Sequence, residues 1–347
     1  MLVRKYCGKV FGLLECGASR STSVLFFRDG GPIGSGQGHW HSRCVTKNHR
    51  LGPFERAVPA PRPGIGLALG GGFARGFAHL GVLRVLEQHR IPISCIAGTS
   101  VGSILGAAYA SGAPLARIVA TCRTLRLRDI ARWRVSRLGF ASNHRLGDLI
   151  ERVFEARQFE DLHIPMAVVA TDLNSGEPVV ISHGDLIDAI RASCAFPGLF
   201  EPVEIGTRCL VDGGLVAAVP TRAARDLGAA FVLGVSVGIQ DGYRGTPSNI
   251  FQVVSRAVTA AQKHQSESWE RHADLVLRPD VQSLAWDDFD RADEAIEAGA
   301  AAARSALPRI QKFLARASSL QGVHGLEGVQ ECDAREQGQL QRLEAVR

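Results

Sequence analysis

A three-layer α/β sandwich around a mostly parallel central sheet is the fold this sequence predicts, on three observations. From residue 64 onward, short apolar runs alternate with longer segments of helical periodicity. The short runs are apolar at nearly every position instead of every second one, the pattern of strands covered on both faces. Glycines cluster where such a run hands over to a helix, at Gly70–Gly72 and on either side of Ser100. A chain of 347 residues with 46% hydrophobic content can bury a core of that size.

Ile65–Leu69 opens the pattern as a buried strand, Gly70–Gly72 follows as a loop, and 76–90 reads as a helix with apolar residues at 77, 80, 82, 83 and 86. The next strand covers 93–97. Further strands are predicted over 164–170, 179–181, 209–211, 231–237 and 274–277, and helices over 101–111, 145–156, 185–193, 218–227, 250–270 and 291–316. Residues 1–63 lack sustained periodicity and end in the stiff Pro59-Ala60-Pro61-Arg62-Pro63, which reads as a poorly ordered leader ahead of a domain over 64–316. Residues 317–347 turn Gln- and Glu-rich and read as a polar tail. No run of 18 apolar residues exists, so no membrane span is expected. The basic start is broken by Cys7-Gly8-Lys9 without a small-residue cleavage site, which disfavours a signal peptide.

The net charge of +6 is unevenly spread. Residues 1–63 hold ten Lys/Arg against Glu15, Asp29 and Glu55, a local +7, which leaves −1 for the rest. The basic balance belongs to the leader, so no nucleic-acid partner is expected for the body. Eight cysteines, at 7, 16, 44, 95, 122, 194, 209 and 332, form no C-x-x-C pair, and neither a metal site nor a redox motif is expected. Cys95 and Cys209 lie in apolar runs and read as small core residues. That usage fits a reducing, cytoplasmic compartment.

Three motifs carry chemistry. Gly98-Thr99-Ser100-Val101-Gly102 joins a strand to a helix, and a serine on so sharp a turn needs glycine neighbours, because a Cβ at 98 or 102 would collide with the adjoining strand or helix. Ser100 is the candidate nucleophile. Gly70-Gly71-Gly72-Phe73-Ala74-Arg75-Gly76 lies at the carboxyl end of the first strand, the edge where open α/β sheets bind ligands. Its amides and the helix N-terminus beyond them can hold an anion. A phosphate loop does not fit, since Phe77 follows Gly76 where a lysine is needed, and Gly70-x-Gly72-x-x-x-Gly76 is one residue too long for a dinucleotide fingerprint. An oxyanion hole built on Gly70, Gly71 and Gly72 fits better, with Arg75 bracing the loop or meeting a substrate phosphate. The third motif is Leu210-Val211-Asp212-Gly213-Gly214, an aspartate ending an apolar strand, with Gly213 and Gly214 turning the chain away. At the end of a parallel strand, Asp212 would face the same edge as Ser100. The later histidines, His264, His272 and His324, stand on or at the end of a helix and in the tail, so the chemistry rests on a Ser100–Asp212 pair. A Ser-His-Asp esterase using His264 or His272 stays open as one alternative, and a non-catalytic lipid-binding regulator as another.

With these motifs the chain resembles the patatin-like phospholipases, in particular bacterial single-domain members similar to the lysophospholipase domain of neuropathy target esterase. The resemblance runs from about Gly64 to Leu314. It also takes in His79-Leu80-Gly81-Val82-Leu83, Ala170-Thr171-Asp172-Leu173-Asn174-Ser175-Gly176 and Ala192-Ser193-Cys194-Ala195-Phe196-Pro197-Gly198. It implies a patatin-like fold and a serine hydrolase that cleaves acyl esters of phospholipids or lysophospholipids through an acyl-enzyme, without a cofactor. Ser100 would be the nucleophile, Asp212 its base, and Gly71, Gly72 and their neighbours with Arg75 the oxyanion-hole motif. Two positions depart from the family's pattern: Phe73 stands where its G-x-G-x-x-G has glycine, and Leu215–Pro220 lacks the frequent asparagine.

Between Leu115 and Leu138, Arg117, Arg123, Arg126, Arg128, Arg132, Arg134 and Arg137 face only Asp129, interleaved with apolar residues. The segment reads either as an ordinary amphipathic helix-loop or as a basic cap near the active site. A cap of this kind would dock on anionic lipid headgroups and place the enzyme peripherally at the inner membrane face.

Overall fold

The computed structural model describes residues 63–133, 138–154, 156–238 and 246–316. The expected tail and, apart from Pro63, the expected leader lie outside the described residues, as do Arg134 and Arg137.

The chain opens with β1 (Ile65–Leu69), α1 (Ala78–Gln88), β2 (Ile93–Thr99) and α2 (Val101–Ala110). It then leaves the sheet through α3 (Leu115–Thr124), α4 (Leu127–Ile130), the small pair β3 (Arg132–Trp133) and β4 (Ala141–Ser142), and α5 (His144–Val153). Next come β5 (Met166–Asp172), β6 (Pro178–Ile181), α6 (Leu186–Ser193), β7 (Val203–Ile205) and β8 (Arg208–Asp212). The last elements are α7 (Thr221–Asp226), β9 (Val232–Val235), α8 (Ile250–His264), α9 (Ser266–Glu270), β10 (Leu275–Leu277) and α10 (292–316).

The main sheet runs β10-β9-β1-β2-β5-β8-β7, with β6 also paired to β5. From β10 to β5 every pair is parallel, whereas β6 and β8 lie antiparallel to β5, and β7 antiparallel to β8. Successive residues of the central strands feed opposite layers. Leu67, Leu69, Ile96, Val168, Leu233 and Val235 join the large core shared with α1, α2, α3, α6 and α10. Ala68, Cys95, Ala97, Ala167, Val169 and Val232 face Ala223 and Ala224 of α7, with Trp269 of α9 packed beside them. The second face is small-residued, which lets α7 lie close to the sheet. The predicted three-layer sandwich is present.

Several expected boundaries move for local reasons. The helix expected over 218–227 starts only after Pro220, because the carbonyls of Ala217 and Ala218 accept from Thr99 Oγ1 and the Gly71 N–H. The helix expected over 250–270 breaks at Gln265 into α8 and α9, and α9 turns Trp269 onto the α7 layer. The strand expected over 93–97 continues to Thr99. Cys95 is buried as expected, whereas Cys209 is only half-buried on a strand near the sheet's edge. The segment containing α3 and α4 is amphipathic: Ile118 and Cys122 are buried, with Leu125, Leu127 and Ile130 against the same core. Arg123 pairs with Asp293 of α10 at 2.8 Å, and Arg117 donates to the Arg152 carbonyl at 2.8 Å.

Helices α1 and α10 cross with their backbones in contact. A Cβ on Gly81 would lie 1.8 Å from the Ile296 carbonyl oxygen, and one on Gly299 would lie 1.8 Å from that of Ala78. Gly81→Ala and Gly299→Ala should therefore each force the helices apart and cost roughly 1–3 kcal/mol. Urea unfolding checks this, and an unchanged midpoint in both variants would show that the crossing does not limit stability.

Candidate active site

Ser100 leaves β2 with φ 53° and ψ −125°, a sparsely populated conformation for an L-residue that stores on the order of 1–3 kcal/mol. Its surroundings impose it. The Ser100 carbonyl accepts from the Ser103 N–H at 2.8 Å, the Ser103 hydroxyl at 2.6 Å and the Ile104 N–H at 3.3 Å. Its own N–H donates to Ser193 Oγ at 2.8 Å, and that hydroxyl donates to the Val169 carbonyl at 2.6 Å. A Cβ at Gly98 would fall 2.5 Å from Ser103 Cα, and one at Gly102 would fall 2.1 Å from the Leu69 carbonyl oxygen. Both glycines are thus required, for the steric reason the sequence suggested.

Asp212 reaches the same level by an unexpected route. Strand β8 is antiparallel to β5, so Asp212 does not end a parallel strand. Thr99 pairs with Val169 and Asp212 with the next β5 residue, Ala170, so β8 runs inward and stops level with the serine turn. Its N–H donates to the Ala195 carbonyl at 3.0 Å, and its carbonyl accepts from Thr171 Oγ1 at 2.8 Å. Carboxylate Oδ1 accepts from the Gly214 N–H at 2.7 Å, and the Gly214 carbonyl is held at 2.8 Å by Gln262 Nε2 of α8. The carboxylate is buried and has no ion-pair partner among the described residues. Burial lifts its pKa from 3.8 to about 6, against the Gly214 amide and the Ser100 hydroxyl, which both favour the charged form.

The glycine loop departs from expectation. The Gly70 N–H donates to the Val235 carbonyl and the Gly71 N–H to the Ala218 carbonyl, each at 3.1 Å, so these two amides anchor the loop and are not aimed at an anion. The loop amides with no backbone acceptor among the described residues are those of Gly72 and Phe73; both residues line a cleft with Ser100 and Asp212. Behind the loop, fully buried His79 donates Nε2–H to the Gly70 carbonyl at 2.8 Å. Desolvation lowers its pKa to about 4, against that hydrogen bond, so the ring is neutral and its Nδ1 has no partner. Arg75 is buried, with Nε 3.5 Å from the Gly72 carbonyl oxygen, which places it as a brace of the loop.

Ser100 opens on two spaces. One is an apolar cavity, about 840 Å³ of unfilled volume partly open to solvent, walled by Ile104, Ile118, Leu125, Leu149, Val153 and Phe200 among others. The second is a cleft of about 590 Å³ that contains Asp212, Arg75, Ser255, Thr259 and Gln262. Cys194 lies in the apolar wall; burial first, and then the charge of Asp212, hold its thiol protonated and unreactive. Among the described residues no histidine lines either space; His264 is exposed at the end of α8, and His272 borders a separate hollow. The Ser-His-Asp alternative therefore has no histidine in place. Among the described residues no group of three His, Cys, Asp or Glu side chains is set to hold a metal ion, and no helix is long and apolar enough to cross a membrane. Sequence reasoning assigned no role to Ser193, Thr171, Gln262 or Trp286, whose contributions arise only from packing.

Residues 67–225 match the model of the patatin-like phospholipase family. An uncharacterized NTE family protein of Mycobacterium tuberculosis is 36% identical over 180 residues, covering 50% of this chain and 49% of its own. A lysophospholipase of Debaryomyces hansenii is 27% identical over 300 residues, covering 78% of this chain and 19% of its own. The human patatin-like phospholipase domain-containing protein 6 is 34% identical over 185 residues, 51% of this chain and 14% of its own. The chain thus spans about half the length of the mycobacterial relative and less of the other two.

The buried carboxylate has a stability signature. Its folded pKa lies above its ordinary 3.8, so the native state holds the proton more tightly, and this contribution is complete below about pH 3.8 and lost as pH rises through about 6. Asp212→Asn removes the buried charge and should raise Tm by several degrees at pH 8, with the gain shrinking as pH falls below about 6 and gone near pH 3.8. A gain independent of pH in scanning calorimetry would mean that the carboxylate is not penalised by burial.

Proposed function

We propose that this chain, which belongs to the patatin-like phospholipase family through residues 67–225, is a lipid acyl hydrolase with Ser100 as nucleophile and Asp212 as its proton acceptor. The observation that carries the reading is a strained serine turn and a buried carboxylate, with no ion-pair partner among the described residues, at one level of the sheet and facing a polar cleft, with an apolar cavity on the serine's other side. Ser100 Oγ attacks the ester carbonyl and passes its proton to Asp212. A pKa near 6 keeps the carboxylate ionised at neutral pH while making it a stronger base than an ordinary one. The tetrahedral oxyanion accepts hydrogen bonds from the Gly72 and Phe73 amides. Asp212 returns the proton to the departing alcohol, and water then releases the acyl-enzyme by the same steps in reverse.

The acyl chain lies in the apolar cavity, where each buried methylene contributes about 0.8 kcal/mol, and the polar alcohol lies in the cleft beside Arg75. Acyl esters of phospholipids or lysophospholipids have this division of character. A substrate held in a bilayer also calls for a docking face. The α3–α4 segment walls the cavity and exposes Arg126 and Arg128, and Leu138 and Phe140 stand 69% and 49% exposed further along the chain. These support peripheral binding to an anionic membrane face.

Ser100→Ala should abolish both ester hydrolysis and labelling by a fluorophosphonate probe, and Asp212→Ala should remove nearly all turnover. For the wild type, kcat/KM should rise with pH through an apparent pKa near 6. Near-normal turnover in Asp212→Ala would eliminate it as the base. At Gly72 a Cβ would meet Val237 Cγ2 at 2.6 Å, so Gly72→Ala should displace its amide and lower kcat by roughly 10²–10³; an effect confined to KM would point to substrate binding instead. Arg126→Gln with Arg128→Gln should weaken sedimentation with anionic vesicles by roughly tenfold or more at low salt, with hydrolysis of a short soluble ester unaltered. Binding that ignores both salt and the substitutions would refute the membrane role.

A further inference from the structure

Phe73 carries two features that the acyl-transfer scheme does not use. Its φ is +51°, and a bulky side chain in that region is an outlier. Its ring also completes a closed circuit of four aromatic side chains drawn from four parts of the chain. Phe73 meets Phe196 edge-on at 5.5 Å and Trp286 edge-on at 5.2 Å, and Phe251 touches Phe196 at 5.9 Å and Trp286 at 4.7 Å. The backbone is fixed from the same side, since the Ala74 N–H donates to the Trp286 carbonyl at 3.0 Å. The unfavourable backbone is thus offset by a clasp that holds the ring in one place.

That place decides what can reach the serine. Among the described residues around the apolar cavity and the polar cleft, only Phe73 and Ser100 line both. An ester with its carbonyl at Ser100 Oγ must therefore lie across the boundary that the Phe73 ring forms, acyl chain on one side and alcohol on the other. A second alkyl chain on the alcohol would have to enter the cleft, where Phe196, Leu215, Val258 and Trp286 share the walls with Arg75, Asp212, Ser255, Thr259 and Gln262, and it would take those polar groups out of water without offering them a hydrogen bond. Resting on the acyl-hydrolase reading above, we infer that Phe73 is a specificity-determining residue whose ring walls the cavity from the cleft and restricts the enzyme to esters with a single alkyl chain and a polar alcohol.

The test compares kcat/KM for 1-palmitoyl lysophosphatidylcholine and dipalmitoyl phosphatidylcholine, in the same mixed micelles, for wild type, Phe73→Ala, Phe73→Gly and Phe73→Leu. The wild type should favour the single-chain lipid. Phe73→Ala and Phe73→Gly should each cut that preference roughly tenfold or more by raising the rate on the two-chain lipid, and Phe73→Leu, which keeps most of the bulk, should retain it. The ratio cancels any loss common to both substrates from movement of the loop amides. Phe73→Gly is the variant the positive φ favours, so it folds even where Phe73→Ala does not. Fluorophosphonate labelling of Ser100 is measured alongside. Labelled variants with an unchanged ratio overturn the wall and leave the hydrolase reading intact; a shift in Phe73→Gly alone, with Phe73→Ala folded, assigns the effect to the backbone and also overturns it. A wild type that is neither labelled nor active on either lipid overturns the hydrolase reading and this inference with it.

Discussion

The serine turn can keep φ 53° and ψ −125° only while α2 lies against the ends of β1 and β2, and that approach is open only to glycine at 98 and 102. Much of the surrounding architecture serves this contact. Ser193 on α6 accepts the Ser100 N–H and ties it to β5, so the helix following the β-hairpin is fixed by the turn it supports. Gly76 approaches Val101 so closely that a Cβ would meet it at 2.3 Å, which sets how near the glycine loop can come. The loop in turn is tied to β9 and to the segment ahead of α7 by the Gly70 and Gly71 amides. Sheet order, helix placement and loop position thus converge on one strained residue.

The electrostatics of the site follow from exclusion of water more than from charge pairing. Asp212 has no cationic partner among the described residues and gains basicity from burial, with the Gly214 amide and the Ser100 hydroxyl limiting the shift. His79 shows the converse case: burial strips its charge, and the neutral ring positions a backbone carbonyl without adding a field to the site. With that ring neutral, no charge stands behind the loop, and its Gly72 and Phe73 residues line the cleft that holds Ser100 and Asp212.

The sheet, the two-sided burial of its strands and the serine turn were legible because each is written locally, in apolar runs and in glycines whose spacing has a steric cause. The direction of β8 was not. Leu210-Val211-Asp212 reads the same whichever way it runs, and the strand that turns the chain around, Val203–Ile205, is three residues long and only one of them is fully buried. Which amides of the glycine loop are free to meet an anion is hidden from the sequence for a related reason. Three successive glycines look equivalent in sequence, and only the positions of Val235 and Ala218 reveal that two of the three amides are already engaged. Phe73 was visible as an oddity among glycines, but the ring circuit around it joins residues 73, 196, 251 and 286, a separation no local pattern can carry.

The antiparallel arrival of β8 also bears on when the site comes into being. Ser100 and its elbow belong to an early, local β-α-β-α segment, whereas Asp212 is placed by a strand that pairs with β5 and follows β5, β6, α6 and β7 in the chain. Long-range pairing of this kind is late and slow compared with closure of a neighbouring unit. During synthesis the turn at Ser100 emerges ahead of Asp212, and a chain cut short before β8 would hold the serine without the carboxylate. On the acyl-hydrolase reading proposed above, hydrolytic competence waits on completion of the sheet, because the serine and the carboxylate share one level only once β8 is paired with β5.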